Sequence, residues 1–364
     1  MRILFLLPLL LLSSGCQKKP EPQKPTFQVI ITKPLVQTVN LYNAYIGNVH
    51  PFLQVEIKAQ VEGVLTGAFF KEGDEVKEGD LIFSIDSRPY VAQLQKAEGA
   101  LAQSLANLRY AEDVAKRNAR LAQEDYVSQV QYDEYITNVL TSKASIKENE
   151  ADITTAKINI SYCNIHAPMN SITGKIGLQV GNLIPNVGET PLVTLNQITP
   201  TYTYFSVPQK DLPQIMELHR EKKLEVRAFL NGDYENPYTG TLDLIDNEVN
   251  TETGSILMRG IFQNEEKKLW PGEFIDVHLI LGEQKNAILI PTEAIAQGQK
   301  GQYVFIIKEN NTTELKWIKP GQRIGKMTII NKGVKPGDQV VLQGQVNLGT
   351  GTKVSIKNTV KGSI

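Results

Sequence analysis

Apolar residues recur every seven positions in one long stretch of the chain, from residue 88 to residue 160. These positions are Leu94, Leu101, Leu108 and Ala115 in the first half and Tyr132, Val139, Ile146, Ile153 and Ile160 in the second. A sustained seven-residue repeat keeps one face of a helix against a partner, so the pattern predicts a coiled coil. The rhythm breaks only between Glu124 and Ser128, which predicts two antiparallel helices joined by a bend. Each helix would be roughly 50 Å long, so we expect this hairpin to project from the rest of the chain.

The segments on either side of the heptad stretch carry the alternation and turn residues of β-strands. Two of them resemble each other. Ala59-Gln-Val-Glu-Gly63 corresponds to Ala167-Pro-Met-Asn-Ser171, and Gly73-Asp-Glu-Val76 corresponds to Gly181-Asn-Leu-Ile184. Each half is too short to bury a core alone. The sequence therefore predicts that residues 54–86 and 165–195 pair into one β-sandwich, with the hairpin inserted between its halves.

The remaining segments also read as short strands. In residues 201–281, short segments of alternating apolar and polar residues are separated by turns such as Pro271-Gly272. This pattern predicts a small β-barrel. A short helix interrupts them, with Asp211 as the predicted N-cap and Pro213 in the first turn. More strands follow up to residue 355. Because residues 27–46 are too few to fold alone, we expect these early strands to pair with late ones.

The first residues predict export. Arg2 precedes an apolar run that is too short to span a bilayer. The run ends in Ser13-Ser-Gly-Cys16, which resembles a bacterial lipoprotein signal with Cys16 as the lipid acceptor, although such signals usually have Leu where Ser13 stands. Plain secretion with cleavage nearby is the alternative. With Cys16 lipidated, Cys163 has no disulfide partner, and its apolar surroundings predict a buried, unreactive side chain.

Charge and composition argue against several classes of function. A net charge of -1 and an aromatic content of 7% argue against nucleic-acid binding. The four histidines are scattered without metal-ligand spacing, and neither a G-x-S-x-G sequence nor a phosphate-binding loop occurs. We therefore expect no enzyme activity, no metal and no cofactor.

Three groups of residues carry a resemblance to a known family. The split β segment resembles a lipoyl domain cut in two by a helical hairpin. The stretches Phe205–Pro213, Ile245–Gly254 and Leu269–Val277 resemble an adaptor β-barrel. At the bend, Arg117, Leu121 and Ser128 match the R-x-x-x-L-x-x-x-x-x-x-S motif by which adaptors dock on an outer-membrane channel. The chain thus resembles the periplasmic adaptor subunits, or membrane fusion proteins, of tripartite resistance-nodulation-division (RND) efflux pumps, and is most similar to their multidrug subgroup.

The resemblance implies a mainly β, elongated and nested multidomain chain with an inserted α-helical coiled-coil hairpin. The predicted segments are a signal peptide at 1–15, a disordered tether at 16–26, a membrane-proximal β domain at 27–36 with 285–356, a β-barrel at 37–46 with 200–284, a split lipoyl-like sandwich at 47–86 with 161–199, the hairpin at 87–160 and a disordered tail at 357–364.

The resemblance also implies partners and a location. The partners are an inner-membrane RND transporter, a TolC-like outer-membrane channel and further copies of the chain in a ring, commonly of six. The location is the periplasm of a Gram-negative-type bacterium, with a lipid anchor in the inner membrane. Methionine is scarce and no Met/His-rich N-terminal segment occurs, which favours organic compounds over heavy metals as the exported substrates.

Alternatives remain for the site and for the function. Ser128 could be only the cap of the second helix, with Gln131 completing a capping box. Arg117 could be only a solvated charge, although at a bend its guanidinium can bind carbonyls or carboxylates of a partner. Leu121 could simply close the seam. The alternative functions are an adaptor of an ABC-type exporter and a structural lipoprotein that bridges envelope layers. A swinging-arm carrier is disfavoured because no Lys lies in the turn that follows Ile85.

Overall fold

The computed structural model describes residues 26–184 and 187–361. The described residues divide into two compact units, one within residues 26–42 and 281–361 and the other within residues 43–280. The described strands are β1 Phe27–Lys33, β2 Leu35–Lys58, β3 Gly63–Ala68, β4 Glu75–Val76, β5 Leu81–Ile85, β6 Asn164–His166, β7 Ser171–Thr173, β8 Leu183–Ile184, β9 Pro191–Pro208, β10 Glu225–Phe229, β11 Tyr238–Asn250, β12 Ser255–Phe262, β13 Phe274–Pro291, β14 Ala296–Gly298, β15 Gly301–Ile307, β16 Thr313–Trp317, β17 Lys319–Ile324, β18 Met327–Lys332, β19 Gln339–Gln343 and β20 Val354–Lys361. The α-helices are α1 Arg88–Gln123, α2 Gln129–Tyr162 and α3 Leu212–Glu221, and short 3-10 turns cover Gln209–Asp211, Thr292–Ala294 and Gln345–Asn347.

The helices α1 and α2 pack against each other as an antiparallel pair. The Asn149 Nδ2 atom donates to Ser104 Oγ over 2.8 Å, and Lys143 Nζ lies 3.2 Å from Glu112 Oε1. Every position of the predicted heptad repeat is buried or half-buried, and Val139 is among the most buried. The prediction of two long helices with one apolar seam is therefore confirmed.

The seam also contains a second series of positions, which the apolar pattern did not show. Its members are small or polar, and all are half-buried or buried: Ala97, Ser104 and Ala111 in α1, and Ser142, Asn149 and Ala156 in α2. Large side chains therefore alternate with small ones along the seam. Little apolar surface is buried per turn, so the packing between these helices is thin compared with that of the β cores.

The two halves flanking the hairpin fold as one β-module, which we define as residues 54–86 and 165–195. Its strands β6, β5, β3 and β8 form a four-stranded sheet in that order. The backbone bonding repeats between the halves, because Gly73 N donates to Thr173 O over 3.0 Å and, at the equivalent positions, Gly181 N donates to Leu65 O over 2.7 Å. Both halves supply the same hydrophobic core, in which Phe83 is fully buried. The predicted pairing of the halves is confirmed.

The strands after the β-module close into a small barrel. Neighbouring strands follow the order β13, β10, β11, β12, β9 and β2, and β2 pairs again with β13. At this closure Gly272 N donates to Val49 O over 2.8 Å and Val49 N donates to Glu273 O over 2.9 Å. The predicted helix is present as α3, but the Asp211 side chain makes no capping hydrogen bond. The preceding 3-10 turn runs directly into α3 and gives Asp211 a helical backbone, whereas a cap requires an extended one.

In the other unit, early and late strands pair as expected. Strand β1 lies between β19, which is antiparallel to it, and β20, which is parallel to it. Strand β20 reaches Lys361, so the prediction of a disordered tail from residue 357 is wrong for residues 357–361. The side chains of residues 357–360 are exposed and show no apolar alternation. Backbone pairing with β1 holds them, and no local sequence pattern reveals such pairing.

The predicted signal peptide, Cys16 and nearly all of the tether lie outside the described residues. In the described ranges, no helix is both long and apolar enough to cross a membrane.

The candidate docking site at the bend of the hairpin

The bend is the short segment between Gln123, where α1 ends, and Gln129, where α2 begins. The chain reverses there by a backbone bond from Tyr126 N to Leu121 O, of 2.9 Å, and by a left-handed Asp125 at φ 60. Asp is one of the few residues other than glycine that adopt this conformation at moderate cost. The bend is therefore a defined turn with its own hydrogen bonds.

Ser128 is the N-cap of α2. Its backbone is extended and its Oγ accepts a hydrogen bond from Gln131 N over 3.3 Å. The predicted capping box is only half formed, because the Gln131 side chain donates to Glu134 Oε2 over 2.8 Å. In a full capping box the Gln131 Oε1 would accept from Ser128 N, whereas here the amide of Gln131 lies along the helix and donates to the charged Glu134 carboxylate. The hydroxyl of Ser128 thus has a structural role whether or not it also binds a partner.

Arg117 and Leu121 lie four residues apart on one face of α1, in the last turns before the bend. The Arg117 side chain is exposed, and its Nε donates to Asp113 O over 3.1 Å. This bond holds the base of the guanidinium against the helix. Leu121 is 37% exposed, more than a residue that only closes the seam would be. The structure therefore brings an arginine and a leucine to one surface beside the cap of α2.

Two further apolar side chains surround the bend, and reasoning from the sequence missed both. Tyr126 is 77% exposed and Val130 is 80% exposed. Their signal was available, since both are apolar residues outside the heptad positions of a polar hairpin. Large exposed apolar side chains next to an arginine are the composition found at the centre of protein interfaces.

The base of the hairpin joins the β-module through two paired strands. Strand β5 leads into α1 and strand β6 follows α2, and the two are antiparallel neighbours. Beside the first helix, Arg88 donates to both oxygens of Asp86, and these bonds lower the pKa of that carboxyl to about 2. The Tyr90 hydroxyl donates to Glu62 O over 2.7 Å. These contacts lie where the hairpin leaves the module.

The remaining candidate groups are placed as follows. Cys163 is a buried free thiol, 1% exposed, and burial raises its pKa. This confirms the prediction of a buried side chain. Within the described ranges, no group of three or more His, Cys, Asp or Glu side chains is arranged to hold a metal ion.

Comparison with known proteins identifies the family. Three family models match successive parts of the chain: the RND MFP barrel-sandwich hybrid domain over residues 53–196, the RND MFP beta-barrel domain over 200–283 and the RND MFP C-terminal permuted SH3 domain over 286–346. The multidrug resistance protein MdtA of Xenorhabdus bovienii is 31% identical over 93% of this chain and 82% of its own length. MdtA of Yersinia enterocolitica is 32% identical over 88% of this chain and 73% of its own length.

A solved structure shows a similar fold. The crystal structure of MacA from Actinobacillus actinomycetemcomitans covers 85% of this chain and 98% of its own, with a TM-score of 0.62 and 19% identity. At that identity the likeness concerns the fold alone, and the assignment to a family depends on the sequence matches. The chain belongs to the RND membrane fusion proteins and is of the MdtA type.

Proposed function

We propose that this membrane fusion protein is the periplasmic adaptor that links a proton-driven inner-membrane RND transporter to a TolC-like outer-membrane channel. The exported compounds would be drugs or other organic molecules, as the names of the MdtA relatives suggest. The observation that carries this proposal is the surface at the bend. It presents Arg117 and Leu121 beside the capped start of α2, at the far end of a hairpin rooted in a β-module.

The bend has the chemistry that binding to the end of another helical hairpin requires. The guanidinium of Arg117 is a multiple donor suited to the carbonyl oxygens and carboxylates exposed where helices end. Leu121 and Tyr126 provide apolar surface that becomes buried when a partner covers it. The Ser128 cap fixes the start of α2, so the surface is organised before it meets its partner.

The rest of the proposal concerns assembly. Copies of the adaptor form a ring, commonly of six, and the lipid on Cys16 holds each copy at the inner membrane. The ordered parts divide into the membrane-proximal, barrel, lipoyl-like and hairpin segments predicted above, and the ranges matched by the three family models support this division. The mass of the N-terminal peptide of the mature protein tests the lipid, since an unmodified Cys16 would exclude it.

The docking role is tested by inverting one charge. Arg117→Asp should abolish drug export, because breaking a charged hydrogen-bonded contact costs about 2–5 kcal/mol of binding. Folding should be nearly unaffected, since exposed substitutions change stability by less than about 0.5 kcal/mol. The matched control is Arg120→Asp, which makes the same charge change at an exposed position whose ion pair with Glu124, at 3.6 Å, is worth little.

The measurements are drug accumulation in cells at matched expression and cross-linking of the adaptor to the channel. Arg120→Asp should export normally. An Arg117→Asp protein that is abundant, folded, cross-linked and fully exporting would show that the bend is only a turn between helices. Ser128→Thr keeps the hydroxyl and should be milder in folding than Ser128→Ala, which loses about 1 kcal/mol of capping.

A further inference from the structure

The hairpin has two different sides, and the first carries a groove. About 400 Å³ of space lies between the helices on this side, lined by residues from 107 to 114 of α1 and from 135 to 142 of α2. We call this side the groove face. Among its lining residues are Tyr110, Val114, Asn138 and Thr141. Every lining residue is uncharged, although charged residues are common elsewhere on the hairpin.

The second side carries exposed aliphatic residues. The ion pair between Glu112 and Lys143 spans the helices on this side. In an antiparallel coiled coil the two positions that flank the seam face opposite sides, and Glu112 occupies the flank opposite to that of Val114. Ile136 and Leu140 share the side of Lys143 by their spacing in α2, and they are 37% and 61% exposed. We call this side the ridge face.

The groove and the ridge lie at the same level along the hairpin. Leu140 is the residue immediately before Thr141, and Ile136 also falls within the part of α2 that lines the groove. Copies in a closed ring are related by rotation without translation along the axis. If the hairpins run along that axis, a patch on one copy meets a patch at its own level on the next. A ridge and a groove at one level on opposite sides satisfy this condition.

We propose that the ridge face of one copy packs into the groove face of the next, with Leu140 entering the groove beside Tyr110. This contact is head-to-tail, so it continues around a ring and leaves no unpaired face. It rests on the ring included in the proposed function, and it assigns the surface by which neighbouring hairpins meet. The exposed leucine is thereby removed from water.

Neighbouring residues in the sequence give the two faces complementary chemistry at two levels of the hairpin. Arg109 lies on the ridge side and Tyr110 on the groove side, so the guanidinium of one copy meets an exposed ring of the next. Lower on the hairpin, Lys147 lies on the ridge side and Glu148 on the groove side, which brings opposite charges together. The groove level and the level below it are therefore attractive.

Toward the bend, the charges on the ridge and groove sides are alike instead of opposite. Lys116 on the ridge side is followed by Arg117 on the groove side, and Asp133 is followed by Glu134. Both pairs bring like charges together, which opposes contact between copies at that level. The lateral contact therefore ends below the bend. The bends of neighbouring copies stay apart, and the surface of Arg117 and Leu121 remains open to another partner.

Paired cysteines in the full chain test this contact in intact cells. Tyr110→Cys combined with Leu140→Cys should give, on oxidation, a ladder of products at multiples of the chain mass. Either substitution alone should give no more product than the unsubstituted chain, which carries only Cys16 and the buried Cys163. The matched control combines Gln103→Cys with Leu140→Cys. Gln103 is exposed on the groove side but lies roughly 10 Å lower on α1, so this pair should not form the ladder.

An amine-reactive cross-linker applied to the unsubstituted chain distinguishes failure of the ring from failure of the groove contact alone. If that chain forms multimers but the Tyr110 and Leu140 pair gives no ladder, the ring stands and the groove contact is overturned. If the chain remains monomeric in cells that contain its pump partners, the proposed ring is wrong, and the groove contact is wrong with it. Dimers from Tyr110→Cys alone would reveal a symmetric contact, and equal ladders from the control pair would reveal a different register. Either result overturns the proposal.

Discussion

Replacing Val139 with Asp should unfold the helical hairpin and leave the β-module folded. Val139 is 9% exposed and lies in the middle of the seam between α1 and α2. Losing a buried valine costs about 1.5–3 kcal/mol. Leaving a polar group without a partner adds about 1–3 kcal/mol, and a charged one adds more. Among the described residues of the two helices, only Ala115, Val139 and Ala156 are buried, so the seam has little other burial to offset this loss.

The β-module should survive because its core is built almost entirely from strands. Its buried residues come from both halves of the module, and only Cys163, at the end of α2, adjoins the hairpin. Tyr90 and Tyr162, at the helix ends nearest the module, pack against that core while being only partly buried. The rest of α1 and α2 can therefore unfold without exposing the core.

Far-ultraviolet circular dichroism measures the effect, since α1 and α2 hold all but 10 of the α-helical residues in the described ranges. Amide hydrogen exchange shows separately whether the strands stay protected. The control is Leu140→Asp at the next position, where the side chain is 61% exposed and a change of under about 0.5 kcal/mol is expected for the single chain. A Val139→Asp protein with full helical signal would refute the importance of the seam. Loss of strand protection together with the helices would refute the independence of the module.

Two further predictions concern the β units. Phe83→Ala removes a fully buried ring from the core of the β-module and should destabilise it by about 3–5 kcal/mol in denaturant titrations, whereas Phe69→Ala, at a 58% exposed position, should have little effect. In the barrel, burial against Phe229 and Tyr234 lowers the pKa of His278 from 6.5 to about 4, although Asp276 opposes this shift. The folded state therefore favours the neutral imidazole, and stability should fall as the pH drops from 6.5 to about 4 and then level off. Thermal unfolding across that range should show a weaker decline in His278→Phe, and equal declines in both proteins would contradict this explanation.

The features predicted from the sequence were those marked by residues that recur at regular spacing or in repeated segments. The heptad positions from Leu94 to Ile160 located both helices because large apolar residues mark them. The small seam residues, such as Ser104 and Asn149, left no such trace, since a hydrogen-bonded polar side chain in a seam looks like a surface residue until its partner is known. The repeat of Gly73 in Gly181 predicted a shared module, and the left-handed backbone of both glycines, at φ 86 and φ 92, shows why the residue type recurs.

What depends on pairing between distant strands or helices could not be predicted. The side chains of residues 355–360 in strand β20 are exposed, and the strand is held by its backbone pairing with β1. At the bend, Arg117 and Ser128 were found through resemblance to a family motif, whereas Tyr126 and Val130 were missed although they are apolar residues outside the heptad positions. The groove and ridge faces require α1 and α2 to be aligned with each other, and a single helix carries no information about that alignment.

The placement of the bend depends on residues far from it, at the base of the hairpin. Strands β5 and β6 are neighbours in one sheet, so their backbones lie about 4.8 Å apart, whereas packed helices need about 8–10 Å between their axes. The segment that leaves β5 and the segment that enters β6 must therefore move apart within a few residues of these strands. Asp86 and Arg88 bond to each other at this point on one side, and Tyr90 and Tyr162 pack against the module core where the two helices separate.

Because the bend lies roughly 50 Å away along the helices, a small change of angle at this base moves Arg117 much farther than the same change nearer the bend. We therefore predict that substitutions at the base impair the proposed docking without touching Arg117 or Leu121, which gives the contacts of Asp86, Tyr90 and Tyr162 a part in that proposal.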